Sequence, residues 1–240
     1  MPLSSIKLTN FRCFESVLFV ADPHYNLIYG PNASGKTSLL EAISYLGRGK
    51  SFRGAATQNL IRHGESDFVL LGKIENEARE STVGVRNSRD GLEIRIDGGA
   101  PAGAAALAES LPLLVVGPDV HNLVGGTPDE RRRYLDWIAF HVEHNYLLNW
   151  RRFRRTLKQR NAALRDGADK ATLAGWDREF IDAAEAVDRS RREIVDLAAD
   201  SFAEMAGMLL GAEAELEYRQ GWPRDQDLVA ALAASNTRDR

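Results

Sequence analysis

"NLIYGPNASGKTSLLEAI", residues 26–43, sets an apolar run, a glycine-bracketed turn and a lysine directly before a helical stretch. The spacing Gly30-x-x-x-x-Gly35-Lys36-Thr37 is that of a phosphate-binding loop. Leu27, Ile28 and Tyr29 read as a buried parallel strand. Gly30 and Gly35 let the backbone bend so that successive N–H groups converge, and a helix opening at Lys36 adds the partial positive charge of its N-terminus. The candidate nucleotide contacts are therefore Gly30, Pro31, Asn32, Ala33, Ser34, Gly35, Lys36, Thr37 and Ser38. Lys36 is placed to reach the β- and γ-phosphates of ATP, and the Thr37 hydroxyl to hold Mg²⁺. A turn that only joined strand to helix would have no need of the lysine and the threonine together. Behind the loop, Leu39, Leu40, Ile43 and Leu46 or Tyr45 recur at helical spacing.

The rest of the composition limits what this loop can belong to. With 240 residues and 44% hydrophobic content, the chain can bury one large core or two small ones. The formal net charge of -3 means that any nucleic-acid surface must come from local clustering of cations. Cys13 is the only cysteine, so there is no disulfide framework and no thiolate set for zinc, and a reducing, cytoplasmic setting is expected. No apolar run approaches the ~20 residues of a membrane span, and the N-terminus lacks the core of an export signal.

Along the chain, alternation predicts strands over 3–11 and 14–20, ahead of the phosphate-loop strand. After the loop helix, "RGKSFRG" (48–54) is a basic turn. Three β-rich runs start at 68, 81 and 92, with "NSRDG" as the hairpin turn between the last two, and these form an antiparallel patch. Residues 98–108 shade from a small-residue linker into a short helix, and "LPLLVVG" (111–117) reads as another buried strand. Beyond Pro128 one long helix is expected to about Leu164, a break over 165–175, and a second helix from Trp176 to Leu210, packed as an antiparallel hairpin. "AELEYRQG" (214–221) reads as a returning strand and the tail as a helix.

A hydrolysing ATPase needs a second acid at the end of an apolar strand. "LLVVGPD" carries Asp119, but Gly117 and Pro118 separate it from the strand; "EIVD" (193–196) lies within the second helix. "LVGGTPDERRR" (123–133) resembles the LSGGQ signature of ABC-type ATPases, with Val124 in place of the serine. No catalytic residue is assigned.

Three blocks, "IKLTNFRCFESVLF", "NLIYGPNASGKTSLLEAISYLGRGKSFR" and "VVGPDVHNLVGGTPDERRRYLDWIAFH", resemble the RecF family of bacterial DNA replication and repair proteins, among the ABC/SMC-like ATPases. They occur in family order, and the resemblance extends across the chain. One departure is Pro118-Asp119-Val120, where the family has a two-acid "PED". The resemblance implies an α/β fold: a P-loop ABC-type ATPase head with an antiparallel β subregion and an inserted long-helix hairpin. The expected domains are residues 1–126 for the head, 127–210 for the hairpin and 211–240 for an incomplete return to the head. It further implies an ATP-dependent homodimer that binds single-stranded and gapped DNA. Such a dimer works with recombination mediator proteins to load recombinase in repair and the SOS response. The family's own signature and second acid would lie beyond Arg240. The chain thus resembles a C-terminally truncated member, and weak DNA-stimulated ATPase activity is expected only of a full-length dimer. Arg12, in "NFR", is a candidate nucleotide contact, or else a solvent-facing strand arginine.

Between 151 and 165 stand Arg151, Arg152, Arg154, Arg155, Lys158, Arg160 and Arg165 with no acid among them. On one helix this stripe could neutralise several DNA phosphates without reading sequence. It could equally be a solvated face, or pair with acids of the second helix such as Asp182, Glu185 and Asp188. Lys50 and Arg53 in the basic turn are a second candidate DNA contact. Trp150 and Phe153 fit the core better than base stacking. The rival readings are an ABC transporter's nucleotide-binding subunit, a small-molecule kinase, and a scaffold in which nucleotide only switches dimerisation. The first wants a glutamine after the strand at 111–116, where this chain has "GPD".

Overall fold

The computed structural model describes residues 2–76, 79–168 and 170–235, and the chain divides into two compact units, Met1–Pro118 and Asp119–Arg240. In the first unit the strands are β1 (Leu3–Phe11), β2 (Phe14–Val20), β3 (Asp67–Asn76), β4 (Arg79–Ser88) and β5 (Gly91–Ile96). Every pairing is antiparallel, in the order β2-β1-β3-β4-β5. The alternation read from sequence is the cause: Ile6 and Leu8 of β1 and Phe68, Leu70 and Ile74 of β3 all point into one core. Asn10, at φ 54°, shifts the phase of β1, so that Phe11 also turns inward and meets Phe68 edge-on at 5.0 Å.

Helix α1 (Lys36–Arg48) lies across this sheet and buries Leu39, Ala42, Tyr45 and Leu46. Leu40, expected on that stripe, is instead outward and 49% exposed. The close approach depends on Gly72 of β3, where a Cβ would lie 2.3 Å from Leu46 Cδ2. A 3₁₀ turn, Thr57–Asn59, and a short helix α2 (Ala105–Ser110) complete the unit.

Two expected strands are absent. Residues 27–29 and 111–117 form no strand and have no ladder partner among the described residues. Each keeps one face inward, through Ile28 and through Leu111 and Leu113. The opposite face carries Leu27, Tyr29, Leu114 and Val116, from 57% to 85% exposed. Apolar content predicted burial on both faces, whereas a strand exists only where a neighbour completes its hydrogen bonds.

A 3₁₀ turn, Pro118–His121, spans the division between the units, and the second unit holds α3 (Asn122–Gly125), α4 (Pro128–Val142), α5 (Tyr146–Arg165), α6 (Lys170–Leu210) and α7 (Leu228–Ser235). The single helix expected from 129 to 164 is broken at 143–145. The reason is Asp136, which accepts hydrogen bonds from Tyr146 Oη, Trp150 Nε1 and Arg191 Nε. In a continuous helix Asp136 and Tyr146 would stand about 15 Å apart along the axis, so only a break allows them to meet. α5 and α6 form the expected antiparallel hairpin, with Tyr146, Val187 and Ile194 in one core cluster and Phe180 and Ala184 in another. Helix α6 begins earlier than read, at Lys170. The expected strand at 214–221 is irregular chain held by Tyr218, whose hydroxyl donates to Asp188 at 2.7 Å. The described part of 211–240, read as a return to the head, groups with the second unit: Leu228 of α7 packs against Phe180 and Ala184, beside Trp222.

Candidate functional site

Chain geometry at 30–38 follows from three left-handed residues. Gly30 has φ 148°, Ala33 φ 64° and Gly35 φ 95°, which turn the backbone tightly into the first residue of α1. Glycine is required at 35 on two counts. Its φ is unfavourable for a side chain, and a Cβ there would lie 2.7 Å from Phe14 Cζ and 3.1 Å from Cys13 Sγ. The first turn of α1 has no acid and no side-chain cap, leaving its leading N–H groups and helix dipole for an anion. Lys36 folds back over the loop, its ammonium donating to the carbonyls of Gly30 at 2.8 Å and Pro31 at 2.7 Å. Thr37 is exposed and Ser38 half-buried; Pro31, Asn32, Ala33 and Ser34 are exposed. This donor set fits a polyphosphate. For Mg²⁺ it offers the Thr37 hydroxyl as one hard oxygen ligand, the remainder coming from phosphates and water. Among the described residues no cluster of three or more histidines, cysteines and acids could hold a metal ion by itself.

Arg12 precedes Cys13 and Phe14, which lie against Gly35, but its side chain is committed elsewhere. Its Nε and Nη2 donate to the two oxygens of Glu41 at 2.9 and 3.0 Å, and its Nη1 donates to the carbonyl of Asn59 at 2.7 Å. Glu41, on α1, is fully buried and also accepts from Ser51 Oγ. Burial alone would raise the Glu41 pKa. The hydrogen bonds from Arg12 and Ser51, with the charges of Arg12 and Arg53, outweigh it and hold the carboxyl below its usual range. Sequence reasoning missed Glu41. The available signal was a carboxylate between Leu39 and Ala42 on the inward side of an apolar helix, a position that demands a cation.

"LVGGTPDERRR" does not have the form of a phosphate-gripping turn. Arg131 Nη1 donates to the carbonyls of Val124 and Gly126 at 3.1 Å each, filling the turn, and Asp129 and Glu130 occupy the first turn of α4. Asp119 is exposed in its 3₁₀ turn.

The cationic stripe on α5 separates into two sets. Arg152 and Arg155 reach Glu179 at 3.8 and 2.8 Å, and buried Arg160 pairs with Asp177 at 2.9 Å. The acids of α6 that answer the stripe are thus Asp177 and Glu179. Asp188, proposed from the sequence, binds Arg192 and Tyr218 instead. Arg151, Arg154, Lys158 and Arg165 are exposed, Arg154 lying 5.6 Å over the Trp150 ring. With Arg155 and Asn161, three of these border a cleft of about 730 Å³. Trp150 and Phe153 are core, through Asp136 and through Phe180 at 5.8 Å. In the first unit, Lys50 and Arg53 are exposed.

The RecF/RecN/SMC N terminal domain family matches residues 2–114. Across its whole length the chain is 41% identical to the DNA replication and repair protein RecF of Azotobacter vinelandii and covers 67% of it. It is 40% identical to the RecF of Pseudomonas fluorescens Pf-5, covering 66%. The chain therefore spans about two thirds of the length of these relatives. Among solved structures, the recombination mediator protein RecF with ATPrS, of the RecFOR pathway, superposes with a TM-score of 0.88 at 24% identity over 99% of this chain and 68% of that one. The same protein with ATP gives a TM-score of 0.83 at 21% identity, over 99% of this chain and 69% of that one. These likenesses establish the fold, a RecF-type ATPase head with its helical hairpin.

Proposed function

Because this chain belongs to the RecF family of DNA replication and repair proteins, we propose that it binds ATP with Mg²⁺ at residues 30–38 and DNA along α5. The observation that carries the reading is the loop itself: Gly30, Ala33 and Gly35 in left-handed conformations, running into an uncapped helix with Lys36 at its head. Lys36 would exchange the carbonyls of Gly30 and Pro31 for the β- and γ-phosphates. Thr37 would contribute one ligand to Mg²⁺, which neutralises phosphate charge when bound. Arg12 would add a cation beside the phosphates, exchanging the Glu41 carboxylate for them.

DNA would lie along Arg151, Arg154, Lys158 and Arg165, with Lys50 and Arg53 as a second contact. Such contacts address phosphates alone, which suits single strands and gap junctions of any sequence. As in the family, a cytoplasmic ATP-dependent dimer would hold gapped DNA and work with mediator proteins of the RecFOR pathway. Its role would be recombinase loading in repair and the SOS response.

Calorimetry with Mg-ATP on the wild-type chain and on Lys36→Ala tests the core of the reading. ATP should bind the wild-type chain and bind Lys36→Ala at least tenfold more weakly, with circular dichroism unchanged. Equal affinity in the two proteins would overturn the site.

A further inference from the structure

A continuous set of contacts runs from the phosphate loop to the basic turn, all within the first unit. Phe14 and Cys13 lie against Gly35, as the clash of a Cβ at that position shows. Arg12, the preceding residue, has φ 54°, a conformation that a side chain rarely adopts. It is held there by its own N–H donating to the Leu60 carbonyl at 2.7 Å and by its guanidinium on Glu41 and Asn59. The Glu41 oxygen that receives Arg12 Nη2 also receives Ser51 Oγ, and Ser51 Oγ in turn accepts the backbone N–H of Arg53 at 3.0 Å. One buried carboxylate therefore fixes both the residue beside the nucleotide loop and the turn that displays Lys50 and Arg53.

We infer that Glu41 is a positioning residue that couples nucleotide occupancy to the basic turn, Gly49–Gly54, with ATP loosening that turn. The inference rests on the proposed nucleotide site. The two competing states are set by Arg12. Among the described residues, the anion that holds Arg12 without a polyphosphate is the Glu41 carboxylate. A triphosphate in the loop places a second and larger negative charge beside the turn that carries Arg12. Two anions then compete for one guanidinium, and this difference in interaction is what allows a ligand to shift a population. As Arg12 moves toward the phosphates, the Glu41 carboxylate loses the partner that orients it, and the Ser51 hydroxyl and Arg53 amide lose their fixed acceptors. Lys50 and Arg53 then become free to adapt to an external polyanion. By reciprocity, a polyanion held on the turn should tighten ATP binding.

The experiment uses the 240-residue chain and two readouts, calorimetry with Mg-ATP and amide exchange over residues 49–54. In the wild-type protein saturating Mg-ATP should bind and should speed exchange of this segment, Arg53 above all, at least threefold. Ser51→Ala should bind ATP within twofold of wild type, exchange fast at Arg53 without ATP, and show no further response to it. Glu41→Gln should also exchange fast at Arg53 without ATP and, with the competing charge removed, should bind ATP more tightly than wild type; should it fail to fold, Ser51→Ala decides alone. ATP bound with no change at 49–54 in the wild-type protein would overturn the coupling and leave the nucleotide site standing. So would a Ser51→Ala protein that keeps the full ATP response. Failure of the wild-type chain to bind ATP would overturn both readings.

Discussion

Arg12 and Glu41 meet through two parallel hydrogen bonds, Nε to Oε2 at 2.9 Å and Nη2 to Oε1 at 3.0 Å, linking the end of β1 to the middle of α1. The pair sets how the first unit responds to acid. Despite burial, the Glu41 carboxyl is held below its ordinary value of 4.5 by Arg12 and Ser51. A carboxyl whose folded pKa is depressed contributes stability above its unfolded pKa and loses it as pH falls through the folded value. Protection of the β1 and β3 amides, corrected for intrinsic exchange, should therefore decline below about pH 4.5. In Glu41→Gln protection should be lower at neutral pH and depend less on acid. An acid response identical to that of the wild-type protein would place the titrating group elsewhere.

Gly35→Ala tests the loop by shape rather than charge. The substitution forces a side chain into φ 95° and into Phe14 and Cys13. A cost of about 1–3 kcal/mol to the local fold is expected, together with loss of ATP binding by calorimetry. Gly64→Ala, at φ 91° but with open space around it, is the control and should keep the affinity.

On α5 the two classes of arginine should part company in stability. All four tryptophans, Trp137, Trp150, Trp176 and Trp222, lie in the second unit, so their fluorescence in urea reports that unit alone. Arg160→Ala strands Asp177 and should cost about 3 kcal/mol. Arg151→Ala should change stability by no more than about 0.5 kcal/mol. Similar midpoints for the two variants would mean that the Arg160–Asp177 pair contributes little.

The DNA reading predicts a salt dependence. Log affinity should fall with log salt at a slope near -0.9 per duplex phosphate contacted, or about -0.7 on single strands. Joint reversal of Arg151, Arg154 and Lys158 to Glu should flatten the slope and weaken all sequences alike. Arg155 is left unchanged because its reversal would also break the Glu179 pair. A triple variant with unaltered slope would show these residues to be a solvated face and shift the search to Lys50 and Arg53.

What was legible in the sequence was what neighbours along the chain decide. The bounds 3–11 and 14–20 match β1 and β2, and the loop, its helix and the hairpin turn before β5 fall where spacing put them. Errors came where a distant partner decides. The break at 143–145 exists for Asp136, and a local periodicity count cannot register a contact that only the break creates. Residues 27–29 and 111–117 have the apolar runs of buried strands, but pairing is not a property of one segment. Arg12 reads from the sequence as a candidate nucleotide contact, and its side chain is held by Glu41 and Asn59. Its partner, Glu41, is a helix residue whose orientation becomes known only once α1 is laid on the sheet.

Those two segments outside the sheet also bear on how the protein can be handled. Leu27 and Tyr29 on one, and Leu114 and Val116 on the other, present apolar side chains next to backbone groups that no ladder occupies among the described residues. Exposed apolar side chains beside backbone outside any ladder are a surface on which like chains can associate. Light scattering of the 240-residue chain should rise steeply with concentration, and Leu27→Lys with Val116→Lys should raise the concentration at which it remains clear.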